Sequence, residues 1–338
     1  MQIKNAFGSW EKVWQASEKI LRQALSDDIV QAILESRHKF KPENEIHIAK
    51  EVGFEVVEYG DKQYPVKLKE VPDPPALLYV KGSLDSLKQV CVSVVGSRRA
   101  TQYGYMVTDT IFRPIAQYNI TIVSGLALGI DTAAHKASVE GGGKTIGVLG
   151  CGLDQVYPAS NRNLAQRIID TGGGLISEFA PGLPSYRSNF PIRNRIIAAL
   201  SDLTIVIEAL PDSGALITAK AALEYNREVG AVPADINRPQ GEGPNNLIKM
   251  GAIPITSSAD VLEGLGLVGE DVKTEDLNTE KLAESEKIIF GLLSREPAHI
   301  DKIAMLSQIN IAEVNSILVM LELRGIVKNL GANQFIRK

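Results

Sequence analysis

Between Val90 and Thr256 the chain alternates short, β-branched apolar runs with stretches whose apolar residues recur three or four positions apart. The short runs read as strands and the periodic stretches as amphipathic helices, so their alternation predicts an α/β domain with a mostly parallel sheet. Strands are expected at Val90–Val95, Ile120–Ser124, Thr145–Leu149, Gly174–Glu178, Leu203–Glu208, Gly230–Pro233 and Ala252–Thr256. Most of them lack polar alternation, which predicts a doubly wound sheet with helices on both faces. Ligands of such sheets sit at the carboxyl ends of the strands, where loops enter helix N-termini. The site is thereby located before any motif is considered.

The flanks follow different patterns. From Glu11 to about Glu51 apolar residues fall at helical spacing (Val13, Ile20, Leu21, Leu25, Ile29, Val30, Ile33, Leu34), which predicts a small helical module. The turn-rich Tyr59–Pro65 and proline-rich Val71–Pro75 stretches mark its boundary with the main domain. Past Leu262 the chain becomes glycine-rich, then acidic from Glu270 to Asp276, too poor in apolar residues to order itself, and reads as a linker. A last module begins near Glu284 with three short helical patterns (Ile288, Ile289, Leu292, Leu293; Ile303, Ala304; Val314, Ile317, Leu318, Leu321). Its end, Gly325–Arg337, looks like a two-stranded wing, so a winged helix is expected. The predicted organisation is a helical module at 1–60, the α/β domain at 61–265, a linker at 266–280 and a winged helix at 281–338.

Composition narrows the class. With 338 residues, 44% hydrophobic and 22% charged, the chain is an ordinary globular protein of two or three domains, neither disordered nor a disulfide-held miniature. No apolar run approaches the ~18 residues of a membrane span, and the first ten residues lack a secretory signal pattern. A cytoplasmic protein is expected, with no membrane partner. Cys91 and Cys151, each in an apolar strand-like setting, fit two buried thiols in a reducing compartment, a disulfide being the other option. The formal net charge of −4 does not exclude nucleic acid, because binding depends on where cations cluster.

Four loops at expected strand ends carry the chemistry. Val95-Gly96-Ser97-Arg98-Arg99 offers backbone N–H donors beside two arginines, a phosphate-binding pattern unless it is a tight turn with solvated cations. Ser124-Gly125-Leu126-Ala127-Leu128-Gly129-Ile130-Asp131 opens into a helix containing His135, which reads as a packing residue and not a base. Tyr186-Arg187-Ser188-Asn189-Phe190-Pro191-Ile192-Arg193-Asn194-Arg195 places three arginines and a ring together, the combination that single-stranded nucleic acid requires. Arg193 and Arg195 either join that surface or brace the helix against carboxylates such as Glu178 and Glu208. Glu208–Lys220 contributes a further turn at Gly214. Several anion-accepting turns on one sheet edge point to a polyphosphate or a nucleic-acid backbone.

Two motifs fail on context. In Gly141-Gly142-Gly143-Lys144-Thr145, Ser138 takes the place of the first P-loop glycine and the lysine precedes a strand. Gly264-Leu265-Gly266-Leu267-Val268-Gly269 has the dinucleotide spacing but follows a helix and enters the linker. No metal-ligand spacing and no nucleophile–base pair stand out, so neither cofactor nor metal is expected.

Taken in order, Val94-Val95-Gly96-Ser97-Arg98, Val123–His135, Phe190-Pro191-Ile192-Arg193-Asn194-Arg195-Ile196-Ile197 and Ser213–Ala219 resemble the DNA-processing protein A (Smf) family over nearly the whole chain. The resemblance implies a SAM-like helical module, an extended Rossmann-like core and a winged helix. It also implies binding and protection of incoming single-stranded DNA in natural transformation, loading of the RecA recombinase, and homodimerisation through the core. The family's DNA pocket maps onto Arg98, Arg187 and Phe190. The full expected interface is Gly96, Ser97, Arg98, Ser124, Gly125, Arg187, Phe190, Arg193, Asn194 and Gly214, without catalytic residues. The chain departs from the family where relatives commonly have Val-Pro-Gly, reading Val232-Pro233-Ala234-Asp235, and its winged helix has only a slight basic excess. A competing enzymatic reading is a nucleotide N-glycosidase similar to the lysine-decarboxylase-like phosphoribohydrolases. Pro211-Asp212-Ser213-Gly214-Ala215-Leu216-Ile217-Thr218 lacks most glycines of their Pro-Gly-Gly-x-Gly-Thr motif. A third reading is a protein-interaction scaffold acting through the winged helix.

Overall fold

A computed structural model of the chain describes residues 2–39, 41, 53–267, 283–294, 297–323, 326–331 and 333–337. It forms two compact units, Met1–Leu267 and Val268–Lys338. Residues 42–52 of the expected helical module and 268–282, most of the expected linker, lie outside the described residues.

The first unit is built on a nine-stranded sheet: β1 (Glu55–Glu58), β2 (Leu77–Gly82), β3 (Cys91–Val95), β4 (Thr121–Ser124), β5 (Thr145–Leu149), β6 (Gly174–Ser177), β7 (Leu203–Val206), β8 (Glu228–Ala231) and β9 (Ile253–Pro254). Their spatial order is β1-β2-β6-β5-β4-β3-β7-β8-β9. From β6 to β9 every pairing is parallel, whereas β2 adds to β6, and β1 to β2, antiparallel. β1 and β2 flank the proline-rich segment that the sequence marks as a boundary, and they extend the sheet beyond the expected seven strands.

The buried apolar runs explain the two-sided packing. Val92 and Val94 face α5 (Gln102–Ile115), α6 (Ile130–Glu140) and, near the end of the unit, Val261 and Leu262. Cys91 and Val95 face the opposite way, toward a helix at Asn189–Leu200 and another at Gly214–Glu224. Ser93, between them, bonds Ile197 O at 2.9 Å, so even the polar position of this strand is satisfied inside. Successive crossover connections carry the chain from β3 outward to β6. Helix α7 (Arg162–Asp170) makes the last of these, and α8 (Asn189–Leu200) then returns it across the sheet to β7, on the other side of β3. The strand order thus reverses between β3 and β7, where a doubly wound sheet opens a crevice at its carboxyl edge. Helix α9 (Gly214–Glu224) leads from there to β8. The loops approach closely: at Gly129 (φ +79°) a Cβ would lie 2.1 Å from Ser97 O, so only glycine fits where the β4 loop meets the β3 loop.

The N-terminal segment is helical as expected, at Gln2–Phe7, Trp10–Gln15, Glu18–Ala24 and Asp27–Lys39. Val13, Leu21 and Val30 are buried. Ile20 and Ile29, expected on the same face, point outward. In the second unit, helices Glu284–Leu292, Ile300–Ser307 and Ile311–Leu323 pack against a hairpin, Val327–Gly331 with Gln334–Arg337, as a winged helix. A short strand the sequence does not reveal, Ala298–His299, completes that sheet. Both cysteines are buried free thiols. No single helix among the described residues is long and apolar enough to cross a membrane.

Candidate nucleic-acid interface

A cleft of about 440 Å³ opens at the β3/β7 reversal. The loop after β3 contributes Gly96 and Arg98, the approach and first two turns of α8 contribute Arg187, Phe190, Arg193 and Asn194, and the start of α9 contributes Gly214. The Arg98 guanidinium carbon stands 4.4 Å from the centre of the Phe190 ring, within cation–π range. Tyr157, from the loop after β5, lies 6.0 Å from the same ring at 39° and helps line a smaller lobe of about 50 Å³. Arg98 and Arg187 are exposed, and among the described residues neither makes an ion pair. Their charge is available to an anion.

Arg193 plays a different part. Its side chain is 3% exposed, and its guanidinium donates to Gly125 O at 2.5 Å and also to Val148 O. Burial lowers its pKa to about 10, partly opposed by the charge of Asp131, and it remains a cation at neutral pH. Asp131 is itself buried and accepts from the amides of Gly125 (3.1 Å) and Ala127 (3.4 Å). Burial raises its pKa, and Arg193 pulls the other way. These two inward-turned groups line the cleft floor, and the Arg193 bond to Gly125 O ties the β4 loop to α8. A Cβ at Gly125 would sit 2.3 Å from the Arg193 guanidinium, which accounts for the glycine.

Several expected donors are therefore engaged within the fold. The Gly125 amide is held by Asp131. The Ser97 amide donates to Glu208 O at 2.7 Å, and the Ser97 hydroxyl accepts from the Arg99 amide at 3.1 Å. Ser124 is fully buried, its hydroxyl donating to Val94 O at 2.6 Å. Asn194 lines the cleft while its side chain bridges Arg193 and Gly214 O. For Arg195 the bracing alternative holds: its guanidinium takes both oxygens of Glu178, at 2.7 and 2.6 Å. Glu208 braces neither arginine, since its carboxylate accepts from the amide and hydroxyl of Thr101. His135 is fully buried, with Nδ1 2.7 Å from Thr145 Oγ1, and burial pushes its pKa down to about 3. Tyr157 belongs to no motif that the sequence offers; the available signal is an aromatic residue in the loop that follows an expected strand. Among the described residues no group of three His, Cys, Asp or Glu side chains is gathered to hold a metal ion.

Fold and cleft together define a Rossmann-like protein whose switch-point crevice is basic and aromatic in place of a glycine-rich nucleotide fingerprint. Residues 55–266 match the family described as DNA recombination-mediator protein A, and residues 273–333 match the DprA winged helix domain. The chain belongs to this DprA/Smf family of DNA-processing proteins. It is 33% identical to Protein Smf of Synechocystis sp. over an alignment covering 100% of this chain and 94% of that one. It is 38% identical to DNA processing protein DprA of Bacillus subtilis, covering 75% and 89%. Among solved structures it resembles DprA of Streptococcus pneumoniae (TM-score 0.67, 37% identity, covering 78% and 90%). It also resembles DprA of Helicobacter pylori, whose structure addresses that protein's single-stranded DNA binding mode (TM-score 0.57, 30% identity, covering 63% and 95%).

Proposed function

We propose that the cleft binds single-stranded DNA and that the protein shields incoming strands and loads RecA onto them in natural transformation, working in the cytoplasm as a homodimer without catalysis. One observation carries this reading: two arginines without an ion pair among the described residues, Arg98 and Arg187, line one cleft with a half-buried ring, Phe190, at the switch point of the sheet. Arg98 and Arg187 neutralise phosphates, and Phe190 stacks an unpaired base. Arg98 covers the ring in the free protein, so a base takes its place. That exchange is downhill: an exposed cation–π contact contributes about 0.5–1 kcal/mol, against about 1–3 kcal/mol for a stacked base, and the released guanidinium can meet a phosphate. Such contacts discriminate little between sequences.

Dimerisation through the α/β unit is supported by apolar side chains exposed beyond β7, Ile217 and Leu223 on α9 and Met250 near β9. Two clefts on one strand would raise avidity through effective concentration. A non-catalytic role is supported by the cleft's carboxylate, Asp131, being turned onto two amides. The full chain is expected to bind labelled oligo-dT more tightly than duplex, to protect it from a single-strand nuclease, and to speed RecA filament formation on it. Preference for duplex, or release of free base from nucleoside monophosphates, overturns this reading.

A further inference from the structure

The loop that follows β8, two strands along the same carboxyl edge from β3, supplies the cation of a further cation–aromatic contact. The Arg238 guanidinium carbon lies 5.8 Å from the centre of the Tyr103 ring. That ring is fixed by its hydroxyl, which donates to Pro233 O at 2.8 Å, and it stands in the first turn of α5, immediately after the Arg98-Arg99 turn. Arg99 and Arg238 are exposed, and among the described residues neither makes an ion pair.

This loop has a defined shape. The Asn245 side chain accepts from Ala234 N at 3.1 Å and donates to Ala234 O at 2.9 Å. Asp235 accepts from Asn237 N at 2.9 Å, and Arg238 N donates to Asp235 O at 3.0 Å. Ala234 needs no left-handed backbone. The side-chain bond to Asn237 turns the Asp235 carboxylate into the loop, and the whole presents Ile236 with 90% of its surface exposed. The fold makes no use of that apolar side chain, and a base offers it a flat apolar face.

We infer that Arg99, Tyr103, Ile236 and Arg238 form a second nucleotide subsite on the same single strand, with the arginines on phosphates and Ile236 and Tyr103 against a base. This rests on the single-stranded-DNA reading of the cleft. Two strand spacings separate β3 from β8, about 10 Å, so a strand leaving Arg98 reaches Arg238 within a few nucleotides.

The test is fluorescence-anisotropy titration of the full chain, wild type against Arg99→Ala/Arg238→Ala, across a salt series. It uses oligo-dT of about 4 and about 16 nucleotides, spanning the site sizes of single-strand binders. The variant is expected to hold the short oligonucleotide as wild type does. On the long one its log–log salt slope should fall by about 1.4, or about 0.7 per lost phosphate contact. An Arg99→Lys/Arg238→Lys variant keeps that slope. Unchanged slope and affinity on the long oligonucleotide, or equal losses on both lengths, overturn the subsite while leaving the cleft standing. A wild type that binds neither length overturns the cleft reading and the subsite together.

Discussion

Arg193→Met separates a residue that builds the cleft from one that touches DNA. Methionine approximates the stem of the side chain but donates nothing. Gly125 O and Val148 O lose their buried donor, and Asp131 loses the cation that opposes its desolvation. Leaving a buried charge without the opposite charge that offsets its desolvation costs about 3–5 kcal/mol. At roughly 2–4 °C per kcal/mol for a unit of this size, the α/β unit should melt about 6–20 °C lower, as followed by far-UV circular dichroism. Arg193→Met/Asp131→Asn leaves neither charge in the cleft floor and still offers an oxygen to the Gly125 and Ala127 amides, so it should recover a substantial part of that loss. A single variant melting like wild type, or a double variant less stable than either single one, refutes the electrostatic coupling of the two groups. Because the Arg193 charge faces inward, a folded variant should also keep the wild-type salt slope of DNA binding.

Phe190→Ala should weaken oligo-dT binding by about 1–3 kcal/mol, roughly 5- to 150-fold, and Phe190→Trp should retain it; an alanine variant with wild-type affinity in anisotropy excludes stacking there. Arg195→Ala breaks the bidentate contact with the half-buried Glu178 and should cost about 1.5–3 kcal/mol of stability. It should leave DNA affinity unchanged, and a parallel loss of binding would contradict the bracing role. His135 has a folded pKa of about 3, below the unfolded value of about 6.5, so the fold favours its neutral form. Its contribution is complete above pH 6.5 and is lost as pH falls toward 3, at up to about 1.4 kcal/mol per pH unit. Denaturant titrations between pH 7 and the acid limb should show that part of the slope missing in His135→Asn; identical slopes would refute it.

The parallel strands were legible because burial on both faces leaves an uninterrupted apolar run. β1 and β2 were not, since their short antiparallel segments sit among the turn and proline signals of Tyr59–Pro75. Arg98, Arg187 and Phe190 could be named because cations and a ring in loops at strand ends need no partner to be identified. The amides of Ser97 and Gly125 and the hydroxyl of Ser124 could not, because their direction is set by Glu208, Asp131 and Val94, which only the folded chain brings to them. Arg193 was ambiguous for the same reason: a guanidinium in the first turns of a helix reads alike whether it meets a phosphate or two buried carbonyls.

The central claim is that Arg98 and Arg187 hold phosphates beside Phe190, and the most direct test is the salt dependence of oligo-dT binding by wild type and by Arg98→Ala/Arg187→Ala. Removing two phosphate contacts should lower the affinity and reduce the log–log slope by about 1.4, with the melting temperature lowered by no more than about 1–4 °C, because only the Arg98–Phe190 contact is lost and neither arginine makes an ion pair among the described residues. A folded double variant with wild-type affinity and slope would place the DNA on another surface.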